Sequence, residues 1–192
     1  MFCREAVIWK RLSHPNLVPF LGVNKILFNL ALVSEWMEHG TILRFVKNYP
    51  ETNRLKLVCI LSLPRTTSTN QLDTQIHDVA SGLEYLHDFP FVHSDLKGVR
   101  ITPFILFLFI EVSQRNILVD GNSNACICDF GLTDVMSTAS ISLGTPPTGG
   151  TRSWMAPEQL RGGKSTKESD VYSFGMVAYE VSITIVSRVG TE

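Results

Sequence analysis

A chain of 192 residues that is 44% hydrophobic and 18% charged carries enough apolar material for one sizeable core and too much for a disordered segment. Its net charge of -1 gives no global basic field that would draw in nucleic acid or an anionic membrane surface. The start of the chain, Met1 to Lys10, mixes charged and apolar residues, unlike the basic, apolar, small order of a secretory signal; the most apolar stretch, Ile101 to Ile110, is half of the roughly 20 residues a membrane span needs.

In chain order, Ala6, Ile8, Trp9 and Leu12 recur near helical spacing until Ser13-His14-Pro15-Asn16 stops the pattern, which predicts a helix ending near Ser13. Leu17 to Val23 and Leu27 to Trp36 are short apolar runs with turn-forming residues between them and predict two antiparallel strands. Gly40 reads as a break. Ile42, Phe45 and Val46 then predict a short amphipathic helix over Thr41 to Tyr49, and Val79, Ala80, Leu83 and Leu86 a longer one over Ile76 to His87. Ile117 to Val119 and Ala125 to Cys128 predict brief strands around the turn Asp120-Gly121-Asn122. Asp170 to Val181 is apolar almost all round, the composition of a helix buried in a core. Cys3, Cys59, Cys126 and Cys128 lack paired zinc-ligand spacing and read as reduced core cysteines of an intracellular, cytoplasmic protein.

Five short motifs follow one another: His93-Ser94-Asp95-Leu96-Lys97, Asn116 ahead of a strand, Asp129-Phe130-Gly131, Ala156-Pro157-Glu158, and Asp170 within Ser-Asp-Val-Tyr-Ser-Phe-Gly. An isolated Asp or Asn more often makes a turn or a cap than a site, but the ordered series is specific. With it the sequence resembles the protein kinases. Lys97 and the phrase from Gly150 to Glu158 are similar to the tyrosine-kinase-like group, whose members mostly phosphorylate serine and threonine. The resemblance implies an α+β, two-lobed fold, with a partial small lobe over 1–35 and a partial, mainly helical large lobe over 36–192 that is truncated after its central helix. It also implies ATP and magnesium as cofactors and a protein bearing serine or threonine as substrate.

Phosphoryl transfer asks a protein mainly to set a hydroxyl in line with the γ-phosphate and to neutralise developing charge. By resemblance Asp95 accepts the hydroxyl proton, Lys97 reaches the γ-phosphate, and Asn116 and Asp129 give magnesium the hard oxygen ligands it favours. Glu5 stands where the family pairs a glutamate with an ATP-orienting lysine. That lysine and the Gly-x-Gly-x-x-Gly loop are missing from the chain, which implies inactivity as written. Glu35-Trp36-Met37 takes the place of the interlobe hinge, with Ser34 the small residue beside the adenine pocket and Met37 offering backbone groups to the base. His93, Phe130 and Trp9 are implied to stack between the lobes, Asp170 to hold the backbone of the catalytic loop, and Gly131 and Glu158 to fill structural or regulatory positions. Ser94 replaces an arginine that often receives a phosphate from the activation segment, so phosphate-triggered activation is not implied; the Ser/Thr-rich run from Leu132 to Arg152 would face the substrate. A second reading is a non-catalytic, kinase-like interaction module or a non-functional truncated product.

Two stretches depart from the pattern. The family separates the catalytic Asp from the metal-binding Asn by five positions, whereas Val99 to Gln114 intervenes here, and Val58 to Gln75 interrupts what would otherwise be one helix. Both begin with valine, whose codons start GT, and end with glutamine, which CAG encodes: the edges of an intron. Thr69-Asn70 is writable as ACTAAC, a branch-point sequence, and Val181-Ser182 as GTGAGT, a third donor, beyond which the kinase pattern is expected to vanish. The reading is a gene model with unspliced introns. If translated, Phe104 to Phe109 would set an apolar loop at the catalytic mouth, an aggregation liability.

Overall fold

A stop at Ser13-His14-Pro15-Asn16 sets the end of the first helix. In the computed structural model, which describes residues 2–26, 30–49, 71–97, 116–130, 134–135 and 150–189, helix α1 (Phe2–Trp9) continues as a turn to Leu12 and buries Ile8, Trp9 and Leu12. The indole Nε1 of Trp9 donates to the carbonyl of Val18 at 2.6 Å and fixes the helix on the strand that follows. Strands β1 (Phe20–Asn24) and β2 (Ala31–Ser34) pair antiparallel from Phe20 opposite Ser34 to Asn24 opposite Ala31, as their apolar runs predict.

Gly40 is not a plain break. Gly40–Thr41 forms strand β3, antiparallel to β5 (Ile117–Val119), which pairs in turn with β6 (Ala125–Ile127), giving the order β3-β5-β6. A φ of 68° at Gly40 lets the chain leave the strand at once, a conformation that glycine adopts without penalty. Thr41 Oγ1 then accepts the amide of Arg44 at 3.3 Å and caps helix α2 (Ile42–Asn48), which buries Ile42, Leu43, Phe45 and Val46. A further pair, β4 (Phe91–Val92) with β7 (Asp134–Val135), is two residues long, too short for any sequence period to announce.

Helix α3 (Gln71–Asp88) begins five residues before the expected Ile76, so the last part of the Val58–Gln75 stretch is helical. Its buried stripe is Gln75, Asp78, Val79, Leu83 and Leu86. It lies close against the segment after α1: a Cβ at Gly82 would stand 2.7 Å from the carbonyl oxygen of Asn16. Asn16 is itself fixed, accepting the amide of Ile127 at 2.9 Å and donating through Nδ2 to the carbonyl of Ala125 at 3.2 Å. The rest of Val58–Gln75, all of Val99–Gln114, Cys59 and Gly131 lie outside the described residues.

After a 3-10 turn at Gly150–Ser153 and the short helix α4 (Pro157–Leu160), helix α5 (Lys167–Val189) closes the fold. Two expectations for it are corrected. It is not buried all round: Ser169, Asp170, Ser173, Val177 and Val181 line one buried stripe near four-residue spacing, while Val171, Tyr172 and Tyr179 face outward, because a helix packed on one side hides only one side. Nor does it end at Val181, since its backbone runs helical to Val189. The cysteines also divide. Cys3 is exposed, contrary to a core role, whereas Cys126 is buried and its thiol is pushed up to about 12 by burial and by the carboxylates of Asp120, Asp78 and Glu35. Among the described residues no helix is long and apolar enough to cross a membrane.

Candidate active site

Asp170 organises the site from inside α5. A carboxylate only 1% exposed is tolerable where its oxygens are satisfied. Here Oδ2 accepts the amide of His93 at 2.7 Å, Oδ1 accepts the amide of Ser94 at 2.9 Å, and His87 Nε2 lies 3.0 Å from Oδ2. These bonds hold the loop after β4 in a conformation it would not choose alone: Ser94 has a φ of 70°, a left-handed backbone costing a non-glycine residue about 1–2 kcal/mol. Lys167 Nζ donates to the carbonyl of His87, tying the end of α3 to the start of α5.

His93 carries the restraint onward. Its Nδ1 accepts the amide of Asp95 at 3.3 Å and its Nε2 lies 3.1 Å from the carbonyl of Cys128, an arrangement in which Nε2 is the donor. The loop is thereby fastened next to Asp129, which also has a left-handed φ, 66°. Phe130 is fully buried, with its ring 5.6 Å from Trp9 and 5.8 Å from His93, and Trp9 stacks in turn on Phe20 at 5.4 Å. This aromatic column joins α1, β1, the loop after β4 and the end of β6.

Between these anchors lie Asp95, Lys97 and Asn116, all buried. Lys97 Nζ donates to Asp95 Oδ2 at 2.6 Å. Across a separation of 21 residues, Asn116 Nδ2 donates to the backbone carbonyl of Asp95 at 2.5 Å and reaches Oδ2 at 3.4 Å. Spending its amide nitrogen in this way leaves the Asn116 Oδ1 atom buried with no hydrogen-bond partner among the described residues. An unsatisfied buried acceptor costs about 1–3 kcal/mol, so it marks a place where a ligand belongs. The Asn116 backbone carbonyl accepts the Cys128 amide at 2.9 Å, one residue before Asp129, and an amide oxygen and a carboxylate are the kinds of donor that suit a divalent cation.

The remaining residues singled out in the sequence sit around this cluster. For Glu5, burial first, then the Asp129 carboxylate, raises its carboxyl above the ordinary 4.5. Ser34, Glu35 and Met37 follow the end of β2, where Ser34 Oγ donates to the carbonyl of Glu35, Met37 is buried with its carbonyl accepting the Gly40 amide at 3.1 Å, and Trp36 is 82% exposed. Glu158 lies exposed in the first turn of α4. That region is joined to α5 through Trp154, whose Nε1 donates to Glu180 at 3.1 Å and whose carbonyl accepts from Ser173 Oγ at 2.8 Å. Sequence reasoning missed His87 and Asn16, because neither belongs to a motif and their partners are 83 and 109 residues away.

The chain matches the family model for protein tyrosine and serine/threonine kinases over residues 1–101 and 107–187. It is 35% identical over 188 residues to the serine/threonine-protein kinase CTR1 of Arabidopsis thaliana, covering 94% of this chain and 19% of that protein. Similarity of 34% over 182 residues links it to a probable serine/threonine-protein kinase of Dictyostelium discoideum, covering 94% and 15%. The probable serine/threonine-protein kinase SIS8 of Arabidopsis thaliana is 31% identical over 186 residues, covering 94% and 15%. The chain thus spans less than a fifth of the length of these relatives. The family match reaches residue 187, six positions past the expected stop at Val181.

Proposed function

This chain belongs to the protein tyrosine and serine/threonine kinase family, and from that premise we propose that its site is built to carry the γ-phosphoryl group of ATP to a serine or threonine hydroxyl of a protein. The observation that carries the reading is the closure of Asp95, Lys97 and Asn116 into one buried, hydrogen-bonded cluster, bonded in turn to Cys128, the residue before Asp129. Asp95 is the group to receive the hydroxyl proton. Both of its side-chain contacts fall on Oδ2, leaving Oδ1 for the substrate. Lys97 gives up Asp95 to meet the γ-phosphate, and the released carboxylate then faces the hydroxyl. Magnesium would be held by Asn116 Oδ1 and the Asp129 carboxylate, and when bound it would neutralise charge on the phosphate oxygens. Ser34, Glu35 and Met37 are the segment against which the adenine would lie.

Turnover by this 192-residue chain alone is a separate matter. Glu5 is the residue that would orient the phosphates through a lysine, and burial and then the Asp129 carboxylate raise its carboxyl; without that lysine we expect nucleotide binding with little transfer. Thermal unfolding with and without millimolar ATP and magnesium tests the reading. The expected result is a magnesium-dependent rise in melting temperature with ATP that Asp129→Asn abolishes, with little phosphate transferred to casein. An identical melting curve at saturating ATP would leave a non-catalytic interaction module as the function.

A further inference from the structure

One described side chain is at odds with its place. Gln75 is fully buried on the stripe of α3 that also carries Asp78, Val79, Leu83 and Leu86; of its two polar members, Asp78 is satisfied, its Oδ2 accepting the Ala125 amide at 3.1 Å. Gln75 Nε2 reaches the carbonyl of Ser123 only at 3.5 Å, the far limit of a hydrogen bond, and its Oε1 has no partner among the described residues. Positions 75, 79, 83 and 86 follow the spacing of an apolar helix face, so the slot is built for an aliphatic side chain and holds an unsatisfied amide. If Leu57 were joined directly to Ile76, Leu57 would occupy that slot and Lys56 the position before it.

A second, independent observation concerns the other extra stretch. Asp95 and Asn116 are docked on each other even though Val99–Gln114 separates them in sequence, so the contact that closes the site is made between residues on either side of that stretch. The family match breaks at 102–106, inside the same stretch, and resumes at Phe107, while it runs through 58–75 without a break. Without Val99–Gln114, Gly98 and Arg115 alone would bridge Lys97 to Asn116.

We infer that the form of this protein that folds to full stability lacks residues 58–75 and 99–114, with Leu57 seated where Gln75 stands here. The inference rests on family membership and packing, not on the proposed phosphoryl transfer. Three measurements test it. Sequencing of the mature transcript is expected to show neither set of codons. The chain deleted of both stretches is expected to be more soluble than the full chain and to melt higher, and Leu57→Gln within it to lower the melting temperature by several degrees. In the full chain, Gln75→Leu is expected to raise it by a few degrees, on the scale of about 2–4 °C per kcal/mol for a domain of this size. A mature message retaining either stretch, a deleted chain that is insoluble, or a Leu57→Gln variant that melts like its parent would overturn the inference. Recovery of the full chain only as aggregate, beside a soluble deleted chain, supports it. A deleted chain that folds but binds no ATP would defeat the proposed function and leave this inference standing.

Discussion

Replacing Asp170 by alanine should undo the anchoring of the loop after β4. The carboxylate is 1% exposed and accepts two backbone amides, His93 at 2.7 Å and Ser94 at 2.9 Å, besides the His87 contact at 3.0 Å. Alanine leaves the buried His93 amide and the partly buried Ser94 amide without this acceptor. Hydrogen bonds to a charged group are worth about 1.5–3 kcal/mol each, and the desolvation already spent on the carboxylate returns part of that, so a net loss of about 3–5 kcal/mol follows. At about 2–4 °C per kcal/mol the melting temperature should fall by about 6–20 °C. The Asp170→Asn variant, which keeps one acceptor oxygen but turns an N–H toward the other amide, should lose about half as much. Circular dichroism melts of the three proteins measure this, and amide hydrogen exchange should show faster exchange at His93 and Ser94 in both variants. An Asp170→Ala protein melting within about 2 °C of the parent, on that same scale, would refute the claim that this carboxylate holds the loop in its left-handed conformation.

Trp9→Ala removes the centre of the aromatic column and the bond to the Val18 carbonyl, and should cost about 3–5 kcal/mol in urea unfolding; a loss under about 1 kcal/mol would mean the column is not a unit. Gly82→Ala gains helix propensity but drives a Cβ to 2.7 Å from a carbonyl that is itself held by Ile127, so a net loss on the order of 1–2 kcal/mol is expected by the same assay, and a stabilised variant would contradict the packing of α3. For Glu5, the folded carboxyl titrates above its ordinary 4.5, so the folded state binds more protons than the unfolded one just above that pH, and stability falls as pH rises through the folded value. Glu5→Gln should therefore gain in melting temperature relative to the parent between about pH 4 and pH 7; a difference that stays constant or shrinks over that window would show that burial and Asp129 do not act on it.

Much of this molecule was readable from the chain because its signals are local. The helix near the start, the β1-β2 pair, the capped helix after Thr41 and the strands either side of Asp120-Gly121-Asn122 each follow from side-chain period and turn chemistry within about ten residues. The ordered motifs singled out Asp95, Lys97 and Asn116, which the fold brings into contact, for the same reason, since each lies in a short phrase of fixed spacing. Sequence also flagged the two extra stretches, through the displaced interval between Asp95 and Asn116 and the interrupted helix before Ile76.

What lay outside that reach depends on partners far apart in sequence. Apolar composition marked α5 as buried, but only packing decided that Val171, Tyr172 and Tyr179 face outward while Asp170 turns inward. No local pattern could assign His87 to Asp170 or Asn16 to β6, nor turn two residues at Phe91 into a strand. The amide oxygen of Asn116 and the side chain of Gln75 make the same point from opposite directions: both are buried polar groups left unsatisfied, one pointing to a ligand and the other to a residue that belongs elsewhere. Sequence determined which side chains were available, and only the tertiary arrangement decided which of them would be removed from water without a partner, because desolvation is a property of the packed neighbourhood and not of the residue.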